Sequence, residues 1–169
     1  MRTLFVFHSH EGNCRALAVA MAAAVRGEIQ EVLRDPGAKP VPGGGAKYLV
    51  GGWEALLKKE PAISPLERDP AAYDLIVLGW PVWFGRVAPP IRTALRQIAW
   101  SGKSAALFNM HRGGPGGSLR ETAAYVTGRG GRVVGAESFV DLRRGDAEKT
   151  KTGAVKWAAD CVARVAAES

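Results

Sequence analysis

Five times along this chain a short apolar run gives way to a segment with helical spacing, and that alternation restricts the fold more than any single motif. Thr3 to Phe7, Tyr73 to Gly79, Ser104 to Asn109 and Arg132 to Val140 read as strands. Glu28 to Leu33 alternates polar and apolar residues, with Ile29 and Val32 as the apolar members, which is the pattern of an exposed edge strand. Residues 12 to 26 carry Leu17, Met21, Ala24 and Val25 on one helical face. Further helices are predicted over 46 to 60, 88 to 100, 119 to 127 and 146 to 167. In the segment 88 to 100 the inward stripe is Ile91, Ala94, Leu95 and Ile98; in the last it is Val155, Ala158, Val162 and Val165. Consecutive βα units with uniformly apolar central strands call for a parallel sheet covered on both faces. The 169 residues suit one domain, 1–169, with a loop–helix insertion at about 36–61 that begins in the Pro- and Gly-rich run DPGAKPVPGGG.

In sheets of this kind ligands bind beyond the carboxyl ends of the strands. The loops after strands one, three and four are therefore the places to look. His8-Ser9-His10-Glu11-Gly12-Asn13-Cys14 joins the first strand to the first helix. A helix N-terminus offers free N–H groups and partial positive charge to an anion. Gly12 lets the backbone come close, Ser9 supplies a hydroxyl, and Arg15 adds charge in the first turn. A Walker loop is excluded, because Gln97 stands where it would need glycine before Gly102-Lys103-Ser104, and no G-x-G-x-x-G follows the first strand. The plainer alternative is that Ser9 and Asn13 only cap the helix.

After the third strand comes Gly79-Trp80-Pro81-Val82-Trp83-Phe84-Gly85-Arg86. Trp83 and Phe84 offer flat apolar faces for stacking; the alternative is that these aromatics pack against neighbouring helices. After the fourth comes Asn109-Met110-His111-Arg112-Gly113-Gly114-Pro115-Gly116-Gly117, whose glycines permit close approach of backbone to a planar ligand. The alternative there is a solvated loop in which Arg112 touches nothing.

The first loop resembles the Ser/Thr-x-Thr-Gly-Asn-Thr segment of the flavodoxin family, with Ser9, Gly12 and Asn13 in register and Glu11 and Cys14 in place of threonines. The second is similar to that family's Gly-Ser/Thr-Pro-Val-Trp-x-Gly segment, continued by Ala88-Pro89-Pro90-Ile91-Arg92, with Trp80 where a small residue is usual. The resemblance spans nearly the whole chain and is strongest over residues 3 to 18 and 73 to 95. It implies a flavodoxin-like α/β three-layer sandwich whose five-stranded parallel sheet has the order 2-1-3-4-5. It also implies flavin mononucleotide (FMN) as cofactor. Ser9, His10, Glu11, Gly12, Asn13 and Cys14 would then lie at the phosphate. Pro81, Val82, Trp83, Phe84 and Gly85 would lie at the ring, with Asn109, His111, Arg112, Gly113 and Gly114 embracing its far side. Gly85 would permit a peptide rearrangement toward the reduced ring, and Trp80 would reshape the pocket. A carboxylate such as Glu11 repels a phosphate dianion unless it turns outward, and a thiol donates only weakly. Residues 43 to 61 are similar to an insertion in some short members, in which Tyr48 and Trp53 either pack in the core or reach the cofactor or a partner.

Net charge is +7 with a pI near 9.8, yet the basic residues are scattered and no Lys/Arg block reaches five, so no nucleic-acid partner is expected. The densest region, Arg143-Arg144 to Lys151, is interrupted by Asp146 and Glu148. No apolar run approaches the roughly 20 residues of a membrane helix. The opening is basic then apolar, but its apolar stretch is only Leu4 to Phe7 with no small-residue cleavage site after it, so a buried strand and a cytoplasmic location are expected. Cys14 and Cys161 form no disulfide framework, and His8, His10 and His111 lack metal-ligand spacing, so no metal is expected. The reading that results is a redox carrier binding FMN, with an acidic partner protein or a small-molecule acceptor and no catalytic side chain of its own. Arg86, Arg112 and the net charge lead to an expected raised potential for full reduction. Two alternatives stand beside it: an NAD(P)H-dependent FMN quinone reductase, and a binding module of the same fold without cofactor.

Overall fold

The computed structural model describes residues 1–37, 54, 57 and 59–168. Its sheet is built from β1 (Thr3–Phe7), β2 (Glu28–Glu31), β3 (Leu75–Pro81), β4 (Ser104–His111) and β5 (Arg132–Val140). All pairings are parallel, in the order β2-β1-β3-β4-β5. Among the described residues the helices are α1 (Asn13–Val25), α2 (Pro89–Gln97), α3 (Ser118–Thr127) and α4 (Ala147–Ala166). A single 3₁₀ turn, Pro70–Ala72, leads into β3. The predicted helix over 46 to 60, with Tyr48 and Trp53, falls largely outside the described residues.

Side chains alternate across each central strand and so build two cores. Leu4, Val6, Ile76, Leu78 and Leu107 face Ile91, Ala94, Leu95 and Val126 of α2 and α3. Phe5, Phe7, Leu75, Val77 and Phe108 face Leu17 and Met21 of α1 and Ala154, Ala158, Cys161 and Val165 of α4. These are the three layers. The proline pair at the start of α2 sits in the first turn, where no intrahelical N–H is needed.

Periodicity placed some inward faces imperfectly. In α1 the buried set is Cys14, Leu17, Ala18, Met21 and Ala22, while Ala24 is exposed. In α4 it is Ala154, Ala158, Cys161 and Val165, with Val155 and Val162 only half-buried. In β2 the buried residue is Gln30 and Ile29 is exposed. The Gln30 side chain accepts from the Glu67 and Arg68 amides at 3.0 and 3.2 Å and donates to the Glu31 carbonyl. A buried amide with both its oxygen and its nitrogen hydrogen-bonded in this way stabilises an edge strand that an apolar residue would not pin to the returning chain. No described helix is long and apolar enough to cross a membrane.

Candidate functional site

Because the strands are parallel, the ends of β1, β3, β4 and β5 all open on one edge of the sheet. There they wall a cleft of about 180 Å³. On one side the chain leaves β1, and the His8 amide still pairs with the Gly79 carbonyl at 3.0 Å. It then turns through Gly12, whose φ of +88° is a left-handed conformation that costs an L side chain energy. Ala16 N–H closes the first helical bond on the Gly12 carbonyl at 2.9 Å. The amides of Asn13 and Cys14 thus precede any intrahelical acceptor. Ser9 Oγ accepts from the Arg15 amide at 3.2 Å, so the capping role exists, and the hydroxyl hydrogen is left to donate. The guanidinium of Arg15 turns away to Glu31, at 2.6 Å, rather than serving the turn.

The opposite wall is a two-residue hairpin. Trp83 and Arg86 exchange both backbone bonds, at 3.1 and 2.9 Å, around Phe84 and Gly85, whose φ values are +49° and +72°. Positive φ at both central residues is the type I′ pattern. The Val82 amide bonds the Met110 carbonyl at 2.8 Å, tying the hairpin to β4. Trp83 lines the cleft while packing against the α2/α3 core, and forms T-shaped pairs with His8 and His10, with centroids 6.0 and 5.8 Å away.

Charge is concentrated at the rim. Arg112 donates from Nε to Asp141 Oδ2 at 2.7 Å and from Nη2 to Glu11 Oε2. Arg143 donates to Glu11 Oε2 at 2.9 Å and to the Glu11 carbonyl at 3.1 Å, and its own amide bonds Asp141 Oδ1. Burial works against the charge of Asp141, but the Arg112 and Arg143 hydrogen bonds outweigh it and hold the carboxyl below the usual range. Burial, reinforced by the Asp141 and Glu31 carboxylates, raises the Cys14 thiol far above its normal value, so it stays protonated. His8 is lowered to about 4, chiefly by burial, and donates from Nδ1 to the Val32 carbonyl at 2.9 Å. His111 Nδ1 is buried without a hydrogen-bond partner among the described residues.

Of the residues singled out from sequence, Ser9, His10, Glu11, Asn13 and Cys14 line the cleft from the first loop. Pro81, Val82 and Trp83 line it from the second, and His111 and Arg112 from the third. Gly12, Gly85, Gly113 and Gly114 shape the backbone without contributing lining. Phe84 points to solvent, 61% exposed, outside the lining. Asn109 is fully buried, its amide engaged with Ser118 and Ser138 Oγ at 2.9 and 2.5 Å. Trp80 does not reshape the pocket; it lies in the α2/α3 core with its indole N–H on Ser118 Oγ. Arg112 is not a bare cation, and Arg86 pairs with Glu121, so neither is an uncompensated charge beside a ligand. Sequence reasoning missed Met110 and Asp141. Asp141 was reachable, since it directly follows β5 at the same sheet edge.

No protein-family model and no curated protein matches the chain. Solved structures do. A flavoprotein from Lactobacillus acidophilus, determined in complex with FMN, superposes with a TM-score of 0.67 at 23% identity over 88% of this chain and 97% of that one. Oxidised flavodoxin 2 from Bacillus cereus gives 0.62 at 16% identity, over 97% and 99%. Two-electron reduced flavodoxin from Megasphaera elsdenii gives 0.57 at 18% identity, over 92% and 98%. With its strand order, its three layers and these near full-length superpositions, the chain has the flavodoxin-like fold.

Proposed function

We propose that the cleft binds FMN non-covalently and that the protein carries electrons between partners. The observation that carries this reading is the convergence, in one cleft, of a left-handed glycine turn at a helix N-terminus and an aromatic lining residue, Trp83. The donor set suits a phosphate: the Asn13 and Cys14 amides, the Ser9 hydroxyl and the positive end of α1. Trp83, Val82 and Met110 suit the flat apolar body of the ring. The repulsion expected from Glu11 is offset, because Arg112 and Arg143 both pair with its carboxylate. Bound there, the cofactor supplies the one- or two-electron chemistry. The residues orient it and shield it from water; none is asked to act as nucleophile or base. A net charge of +7 favours an acidic protein or an anionic small molecule as partner.

Titration of the purified protein tests this directly. FMN fluorescence should be quenched at one equivalent with a Kd of ~1 μM or tighter, and riboflavin should bind more weakly. Absence of quenching at ~100 μM FMN would leave a cofactor-free binding module. Rapid NAD(P)H oxidation with a quinone by the loaded protein would make it a reductase instead.

A further inference from the structure

We propose that Glu11 is a built-in competitor for the flavin phosphate, holding Arg143 against the turn until a bound dianion takes that guanidinium over. The inference rests on the FMN reading of the same cleft. The two arginines at Glu11 are not held alike. Arg112 is anchored at Nε by Asp141, whose side chain is only 8% exposed. The Arg143 guanidinium is 57% exposed, and its hydrogen bonds go to Glu11 Oε2 and to the Glu11 carbonyl. Its base is fixed, since the Arg143 amide is on Asp141 Oδ1 at 2.9 Å. A pivoting side chain with a fixed base, lying on the backbone of the phosphate turn itself, is placed to exchange one anion for another.

Charge decides the direction. Glu11, Asp141, Arg112 and Arg143 sum to formal zero, so the network as it stands adds no net attraction for an incoming dianion. Removing the Glu11 charge leaves a net positive rim beside the free amides of Asn13 and Cys14. Affinity for the phosphate then rises, and affinity for the ring does not change. Glu11 therefore sets how strongly the site discriminates FMN from riboflavin and how steeply that preference depends on salt.

The experiment titrates FMN and riboflavin into the wild type, Glu11→Gln, Arg143→Ala and the double variant. Glu11→Gln should tighten FMN about tenfold and leave riboflavin unchanged. Arg143→Ala should weaken FMN, and in that background the gain from Glu11→Gln should shrink to about threefold or less. Equal gains in both backgrounds would mean plain repulsion without exchange and would overturn the proposal. Weaker FMN binding by Glu11→Gln would also overturn it. If neither flavin binds any variant, the FMN reading fails, and inorganic phosphate, followed through the Gly12–Cys14 amide NMR signals, decides the competition alone. Tighter phosphate binding by Glu11→Gln then supports it; equal or weaker binding sinks it.

Discussion

Glu11, in the loop after β1, is fastened to Arg112 and Arg143, which lie 101 and 132 positions further along the chain. Trp83, in the loop after β3, closes on Arg86 only three residues on, through two backbone bonds. One wall of the cleft is thus held by charges brought together from distant loops. The other is held by backbone hydrogen bonds and by contact of glycine against glycine, since a Cβ on Gly116 would come within 2.3 Å of Gly85 Cα. Charge pairs at a partly exposed rim weaken with salt and can exchange partners; backbone contacts do neither. The difference assigns adaptability to the Glu11 side, proposed above for the phosphate, and fixed shape to the Trp83 side, proposed for the ring.

The largest expected effect comes from charging His8, a buried side chain that directly follows β1 and touches Trp83 of the hairpin wall. His8 is only 9% exposed, bonds the Val32 carbonyl and forms a T-shaped pair with Trp83. Its pKa falls from 6.5 to about 4 on folding, chiefly through burial. Between those values the unfolded chain takes up a proton that the folded chain refuses. Stability therefore falls as pH drops from about 6.5 to about 4, by about 3 kcal/mol, and is fully present above that window. Asp141 acts in a lower window: its contribution is present above its unfolded pKa and is lost as pH falls through its depressed folded value. Urea midpoints across the upper window should slope in the wild type and flatten in His8→Gln, which keeps a donor but cannot take the proton. A slope that survives the substitution would show that another group is responsible.

Next in size is Gly116→Ala. The new methyl meets the Gly85 backbone at 2.3 and 2.5 Å, and φ is +58°, so the hairpin must move by about 2 kcal/mol of overpacking and strain. Because this displaces the ring wall, FMN and riboflavin should weaken together. Gly12→Ala sharpens the contrast. At φ +88° but with nothing within 4 Å of the added carbon, it bears the conformational cost of about 1 kcal/mol alone. If Gly116→Ala affects FMN and spares riboflavin, the division between a charged phosphate wall and a steric ring wall is wrong.

That division also explains what could be read from sequence. Features carried by local backbone were legible: β1 and β5 to their ends, the α2 stripe, the Gly12 turn and the presence of a loop after β3, though not its hairpin form. Features that depend on which strands become neighbours were not. Nothing near Glu11 in the chain announces Arg143, and Arg112 read as a free cation because Asp141 reaches it only once β4 and β5 lie side by side, and Glu11 only once β1 joins the same sheet. Asn109 looked like a ligand residue from its place at a strand end, but neighbouring Ser118 and Ser138 take up its amide. Gln30 escaped because polar residues are assigned to the exposed face of an edge strand. Here the loop at Glu67–Arg68 supplies the missing hydrogen bonds.

The smallest effect tests the hairpin's tip. Phe84 holds φ +49°, a conformation unfavourable to a bulky residue, with its ring mostly in water, so it gains little packing in return. Asparagine tolerates that conformation far better. Phe84→Asn should therefore raise stability by about 1 kcal/mol, or ~3 °C in Tm for a chain of this length. Since Phe84 lies outside the cleft lining, flavin affinity should change less than about twofold, within the scatter expected of a surface substitution. Calorimetry and a flavin titration on the same variant separate the outcomes. A gain in Tm with affinity intact means the ring side is shaped by the backbone of the hairpin, with Trp83 as its aromatic face. A marked loss of affinity would mean that the exposed ring folds over the bound cofactor, and the ring wall would then be as adaptable as the phosphate wall.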